Sequence, residues 1–245
     1  MKSTAIRKLL IIAVWLLLWQ AASIIIDNNI LLAGPYEALL ALFRLASTPD
    51  FWMSVLMTVL KITSGFLIGL ILGILSACMS YRFRLFKEII TPPVSVIKSI
   101  PVASFVILVI IWAGAPSLSI VISALVVFPM IYLNFLAGLE STDIKLIETG
   151  RLFRMRFTDK ARYIYLPSAA PHLLSAVSIS CGMAFKSGIA AEVIGRPLQS
   201  LGAGIYLSKI SLATDDLFAW TFCAVLLSFL FEKVMSYVLR RLILR

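Results

Sequence analysis

The chain has 245 residues, 61% of them hydrophobic and 14% charged, with a mean hydropathy of +1.01. Soluble domains are about half apolar and about one quarter charged. A soluble core is therefore excluded, because too much apolar surface would stay wet, and lipid must be the solvent for most of the chain. The net charge of +10 does not point to nucleic acid, since the basic residues sit in short loops between apolar runs, which is how a membrane protein sets its orientation.

A bilayer core needs about 20 apolar residues per helix. Six segments meet that requirement: 9–26, 52–79, 89–112, 117–138, 172–194 and 217–239. The first follows MKSTAIRK and resembles a signal peptide in its basic start, but its apolar run is long and no small-x-small site follows it, so the reading is a retained membrane helix. The second carries Gly65, Gly69, Gly73 and Ala77 at intervals of four, hence on one face. Such a face lets another helix approach closely, either within the subunit or at a dimer seam. The third is interrupted by Pro92, Pro93 and Pro101, and a break is expected there. Cys78, Cys181 and Cys223 fall inside apolar runs without metal-ligand spacing and read as small core residues.

The cations fix an expected orientation. Lys2, Arg7, Lys8, Arg82, Arg84, Lys87, Lys145, Arg151, Arg154, Arg156, Lys160, Arg162, Arg240, Arg241 and Arg245 share one side. Only Arg44, Arg196 and Lys209 fall on the other. The positive-inside rule then makes both termini and the 140–170 loop cytoplasmic.

That loop contains IETGRLFRMRFTDKARYIYLP, residues 147–167, a wet stretch between two greasy ones. Ser141, Thr142 and Asp143 are N-cap candidates for a short helix, and Thr158 for a second one that would end as the chain meets Pro167. A bend is expected near 154–157. Two amphipathic cytoplasmic helices result. Cationic heads above apolar residues fit a membrane-surface helix. Leu152, Phe153, Met155 and Phe157 rimmed by arginines fit equally well a dock for a soluble partner. Periodicity does not choose between them.

The residue order adds more. The stretch resembles the EAA motif of ABC-importer permeases: Glu-Ala-Ala, three residues, Gly, nine residues, Ile-x-Leu-Pro. Glu148 is followed at that spacing by Ile164, Leu166 and Pro167, while Thr149 and Gly150 replace the alanines and Arg154 replaces the glycine. Because arginine does not take positive φ cheaply, the bend is expected to use another geometry or to lie a residue away. Pro101, Trp112, Gly114, Phe128, Pro129 and Asn134 ahead of the loop are similar to the nitrate/sulfonate/taurine-type permeases. So is the segment after it, with Phe185 in place of a Trp, Ala191-Glu192, and Leu201-Gly202 near a Gly-Leu-Gly. The likeness covers roughly residues 50–240.

This resemblance implies an all-α integral membrane protein, with residues 1–245 as a single permease domain of six transmembrane helices. The coupling-helix loop, 140–170, lies between the fourth and fifth spans. It implies a subunit of an ATP-driven importer in the inner membrane of a prokaryote, paired with a second permease copy, two ATPase subunits and an extracytoplasmic solute-binding protein. The chain lacks a phosphate-binding G-x-x-x-x-G-K-[ST] loop. ATP and magnesium are accordingly expected on the partner ATPase, with no enzyme activity, cofactor or metal in this chain. The implied coupling residues are Glu148, Gly150, Arg151, Leu152, Phe153, Arg154, Met155, Arg156, Leu166 and Pro167, with Glu148 stiffening the loop by a local ion pair or cap.

Ionisable residues within spans cost several kcal/mol and usually face protein or water. Lys186, Glu192 and Lys98 are therefore candidates for the translocation pathway, Lys186 as an attractor for a small anionic or vitamin-precursor-like solute or else as an internally paired cation. Lys186 and Glu192 are six residues apart, about 600° around a helix, and point to different faces. Glu192, which matches the resemblance, reads rather as a support or gating residue. The alternative function is a self-sufficient six-span secondary transporter or channel, but no half-to-half repeat supports it. A membrane enzyme would need a His, Asp, Glu or Cys cluster that the chain lacks.

Overall fold

The structure, a computed structural model, describes residues 2–243; Arg245, counted above among the cytoplasmic cations, lies outside them. All secondary structure among the described residues is helical. In chain order it comprises α1 (Lys2–Ile26), α2 (Pro35–Ala46), α3 (Pro49–Arg82), α4 (Arg84–Ser99), α5 (Val102–Ala113), a 3₁₀ turn (Ala115–Ser117), α6 (Leu118–Glu140), α7 (Ile144–Leu152) and α8 (Phe157–Lys160). A π-helical turn (Ala161–Tyr165) then leads into α9 (Leu166–Gly195), α10 (Leu201–Ile210) and α11 (Thr214–Ile243).

Four helical stretches are long and apolar enough to cross a membrane: Pro49–Arg82, Ala115–Glu140, Phe157–Gly195 and Thr214–Arg241. The expected third span is two helices, α4 and α5, bent by 105°. The break falls only at Pro101. The residue before a proline is disfavoured in helical geometry, and Ile100 is extended, with φ −75° and ψ 132°. Pro92 and Pro93 lie inside α4 without ending it, which corrects the expectation of a break there; their fixed φ suits a helix, and each removes one donor. The expected first span corresponds to α1, whose apolar part Leu10–Ile26 is shorter than the others. Helices α2 and α10 were not anticipated. Both are short, and a search for runs of about 20 apolar residues passes over them.

The small-residue face of α3 packs inside the subunit. A Cβ at Gly65 would lie 2.3 Å from the carbonyl oxygen of Ile120, at Gly69 2.8 Å from that of Ala124, and at Gly73 2.8 Å from Cβ of Ile131. Their contacts on α6 rise in number along with them, so α3 and α6 run parallel, and α4–α5 must carry the chain back between them. Helix α9 runs antiparallel to both: Gly188 meets Ile62 and Ser123, while Gly138 meets Ala169 and His172. Phe51 packs against Trp220 and Phe66 edge-on against Phe231, which makes α11 parallel to α3. Trp19 of α1 reaches Phe218 at the start of α11 and bonds the carbonyl of Ala33.

The main core joins Ile62, Phe66, Val127, Ile131, Tyr132, Val177 and Phe185 from α3, α6 and α9. Helix α9 is central and α11 peripheral: 56% of the apolar window of the Phe157–Gly195 stretch is buried, against 11% in α11. Leu72, Leu75, Ile107, Ile111 and Phe229 face outward, as lipid-facing residues must. The Cys181 side chain is in the core, whereas Cys78 is exposed, which corrects its reading as a core residue. One end of the bundle collects Arg82, Arg84, Lys87 and the α7–α8 segment. At the other, Arg44 bridges Asp215 (3.0 Å) and Asp216 (2.5 Å).

Candidate functional site

The segment between α6 and α9 folds as a bracket. Its first arm, α7, is capped by Asp143, whose Oδ1 accepts from the Lys145 amide at 2.9 Å; Ser141 and Thr142 do not fill that role. The arm ends in a Schellman pair, with the Met155 amide donating to Gly150 O and the Arg154 amide to Arg151 O, both at 3.0 Å. Arg154 supplies the left-handed residue, with φ +50°. This corrects the expectation that an arginine would force the turn elsewhere. The two closing hydrogen bonds and the packing behind them hold Arg154 in a conformation that glycine would adopt at less cost.

The second arm starts at α8, where Arg156 rather than Thr158 occupies the cap position and gives no side-chain bond. It does not stop at Pro167. The helix runs on from Phe157 to Gly195, and the turn just ahead of the proline widens to π geometry, which relieves the clash between the proline ring and the preceding turn.

The arms meet at Gly150. It is buried, and a Cβ there would lie 2.7 Å from Cδ1 of Ile164, with Lys160 Cε and Met155 Sδ at 3.5 Å. Two positions of the sequence motif, fourteen residues apart, thus form one contact. Tyr81 of α3 meets Tyr165 edge-on at 5.5 Å and ties the bracket to the bundle. Away from that contact Leu152 is 82% exposed, Phe153 77% and Phe157 76%, and Arg151, Arg154 and Arg156 are exposed among them. Leu166 is half-buried at the bracket's base and Pro167 is exposed there. Glu148 is exposed and has neither a local ion pair nor a capping bond among the described residues, contrary to the expected stiffening role.

The intramembrane candidates separate. Glu192 is wholly buried. Its carboxylate accepts from Thr58 Oγ1 at 2.9 Å, Ser119 Oγ at 2.8 Å and the Gly202 amide at 3.1 Å. Thr58 Oγ1 in turn accepts from the Leu201 amide at 2.9 Å. A Cβ on Gly202 would fall 2.2 Å from Cβ of Glu192, so the backbone of α10 is seated directly on the glutamate. Glu192 thus ties α3, α6, α9 and α10 together. Lys186 lies on a different, exposed face of α9 and has no ion pair among the described residues. Lys98 is exposed in the last turn of α4, beside the bend. Sequence reasoning missed a groove of about 730 Å³ between α9 and α11, where Ser178 bonds Glu232 and Lys233, Ser175 and Tyr237 line the walls. An acid and a lysine adjacent in an apolar run were the available signal.

The sequence of residues 65–244 matches the family described as binding-protein-dependent transport system inner membrane component. The chain belongs to that family. It is the membrane-spanning permease of an ABC importer, and this membership separates it from self-sufficient carriers. Among its relatives, the taurine transport system permease protein TauC of Escherichia coli is 23% identical over 95% of this chain and 85% of its own length. The riboflavin transport system permease protein RibX of Chloroflexus aurantiacus is 25% identical over 94% of this permease and 86% of its own. A solved amino acid ABC transporter chain shares the fold, with a TM-score of 0.61 at 20% identity over 82% of this permease and 96% of that chain.

Proposed function

We propose that residues 141–166 are the docking element through which an ATPase subunit drives this permease. One observation carries the reading. Three large apolar side chains, Leu152, Phe153 and Phe157, stand exposed on a braced bracket with Arg151, Arg154 and Arg156 around them, at the polar end of an otherwise lipid-solvated chain. Buried apolar anchors within a polar rim are the usual anatomy of a protein interface. Glu148, exposed and without a partner among the described residues, is assigned to the same surface.

The described elements form one permease domain of six crossings, both termini cytoplasmic. The parallel run of α3 and α6 supports counting α4–α5 as a single crossing. Helix α1, with 25 residues at about 1.5 Å each, is long enough for another. The partners are a second permease copy, two ATPase subunits carrying ATP and magnesium, and an extracytoplasmic binding protein. The solute is small, and anionic or vitamin-like, as the names of TauC and RibX suggest. Lys186, exposed near mid-helix on α9, is the residue assigned to attract it, with Lys98 as a second pathway cation.

Docking is tested by Phe153→Ala and by Arg151→Glu combined with Arg156→Glu. Each is expected to reduce solute uptake in vesicles at least tenfold and to weaken ATPase co-purification, with membrane insertion unchanged. Normal uptake and normal co-purification in both variants would sink the assignment.

A further inference from the structure

We propose that the cavity between the bracket and the end of α3 binds the phosphodiester headgroup of an anionic phospholipid. The cavity has a volume of about 970 Å³ and opens between the last turn of α3, the end of α6 and the two bracket arms. Four cations line it: Arg82, Arg151, Lys160 and Arg162. No carboxylate lines it, and none of the four is in an ion pair among the described residues. Glu140, nearby at the end of α6, is already engaged by Lys87.

Four like charges around one hollow repel one another, and an anion placed among them removes that cost. Arginines add a fork that matches phosphate oxygens. The lining is otherwise largely apolar, with the partly exposed Cys78 of α3, Ile147 of α7 and Leu166 of α9 beside the buried Phe135 and Leu139 of α6. A free anion would leave that lining wet, whereas a lipid covers it with the upper part of its acyl chains. The cavity also lies where apolar spans give way to basic loop, the depth at which headgroups sit. Basic pockets between transmembrane helices on the cytoplasmic side suit such headgroups. The inference rests on reading α3, α6 and α9 as membrane spans with this end at the cytoplasmic leaflet. It requires no ATPase and no transport.

Native mass spectrometry of the delipidated full chain tests it, by titration with dioleoylphosphatidylglycerol or dioleoylphosphatidylcholine. The first phosphatidylglycerol is expected to bind at least tenfold more tightly. Arg82→Gln with Arg162→Gln should abolish the preference, and Lys160→Gln alone, which supplies the readout if the double variant fails to fold, should weaken it about threefold. Arg240→Gln with Arg241→Gln, cations at the same end but outside the cavity, should leave it intact. Equal affinity for the two lipids would overturn the proposal. So would a preference that survives the cavity variants or falls equally in the control pair, or displacement of the lipid by an equal concentration of inorganic phosphate. Because the assay contains only this chain and lipid, failure of the docking proposal would leave its outcome untouched.

Discussion

Arg154 carries the sharpest conflict between local preference and fold. A non-glycine residue in the left-handed region costs roughly 1–2 kcal/mol. The Schellman bonds to Gly150 and Arg151 and the Gly150–Ile164 contact impose that conformation all the same. The exposed guanidinium is then available on the outer rim of the bracket. Arg154→Gly is expected to relieve about 1 kcal/mol, raising the thermal midpoint of the detergent-solubilised chain by about 2–4 °C. Arg154→Val should lower it by more than that, because a branched side chain tolerates positive φ worst. Equal midpoints for the two variants would show that the turn does not require this geometry in solution. Gly114 is the complementary case: its φ of +73° ends α5 without strain.

Between elements, the Glu192 knot joins four helices. It fastens α10, which has no long apolar run of its own, to the three central helices. Glu192→Ala would leave the Thr58 and Ser119 hydroxyls and the Gly202 amide buried without their acceptor, at about 1–3 kcal/mol for each group left unsatisfied. A thermal midpoint lowered by at least 5 °C is expected, with Glu192→Gln recovering most of the loss because an amide oxygen still accepts. If alanine is tolerated as well as glutamine, the knot is not what holds α10. The α3–α6 contact works by another means. With no hydrophobic drive between helices in lipid, its glycines bring the two backbones within van der Waals reach.

At the scale of the whole molecule, the bundle has a buried centre, α3, α6 and α9, and a periphery that includes α1 and α11. The second arm of the bracket runs unbroken into α9, which carries Lys186, so under the docking proposal a pull on the bracket is expected to move that helix. Lys186→Ala is expected to reduce uptake of an anionic solute at least tenfold while leaving the yield of the assembled transporter unchanged. Uptake kinetics equal to the parent's would remove Lys186 from the translocation pathway.

Sequence alone determined those features that depend on composition and short-range order. Apolar runs of about 20 residues marked the candidate spans, a basic island between two of them marked the bracket, and intervals of four placed the α3 glycines on one face. The six-residue spacing likewise set Lys186 and Glu192 on different faces of α9, but not which would be buried. That depended on where Thr58, Ser119 and Gly202, distant in the chain, came to rest. Tertiary structure also decided that the glycine face meets α6, that Pro101 rather than Pro92 or Pro93 turns the chain, and that Arg154 is left-handed. For the glycine face and for Glu192 the deciding energy is a contact between residues far apart in sequence, and a local pattern holds no record of its partner.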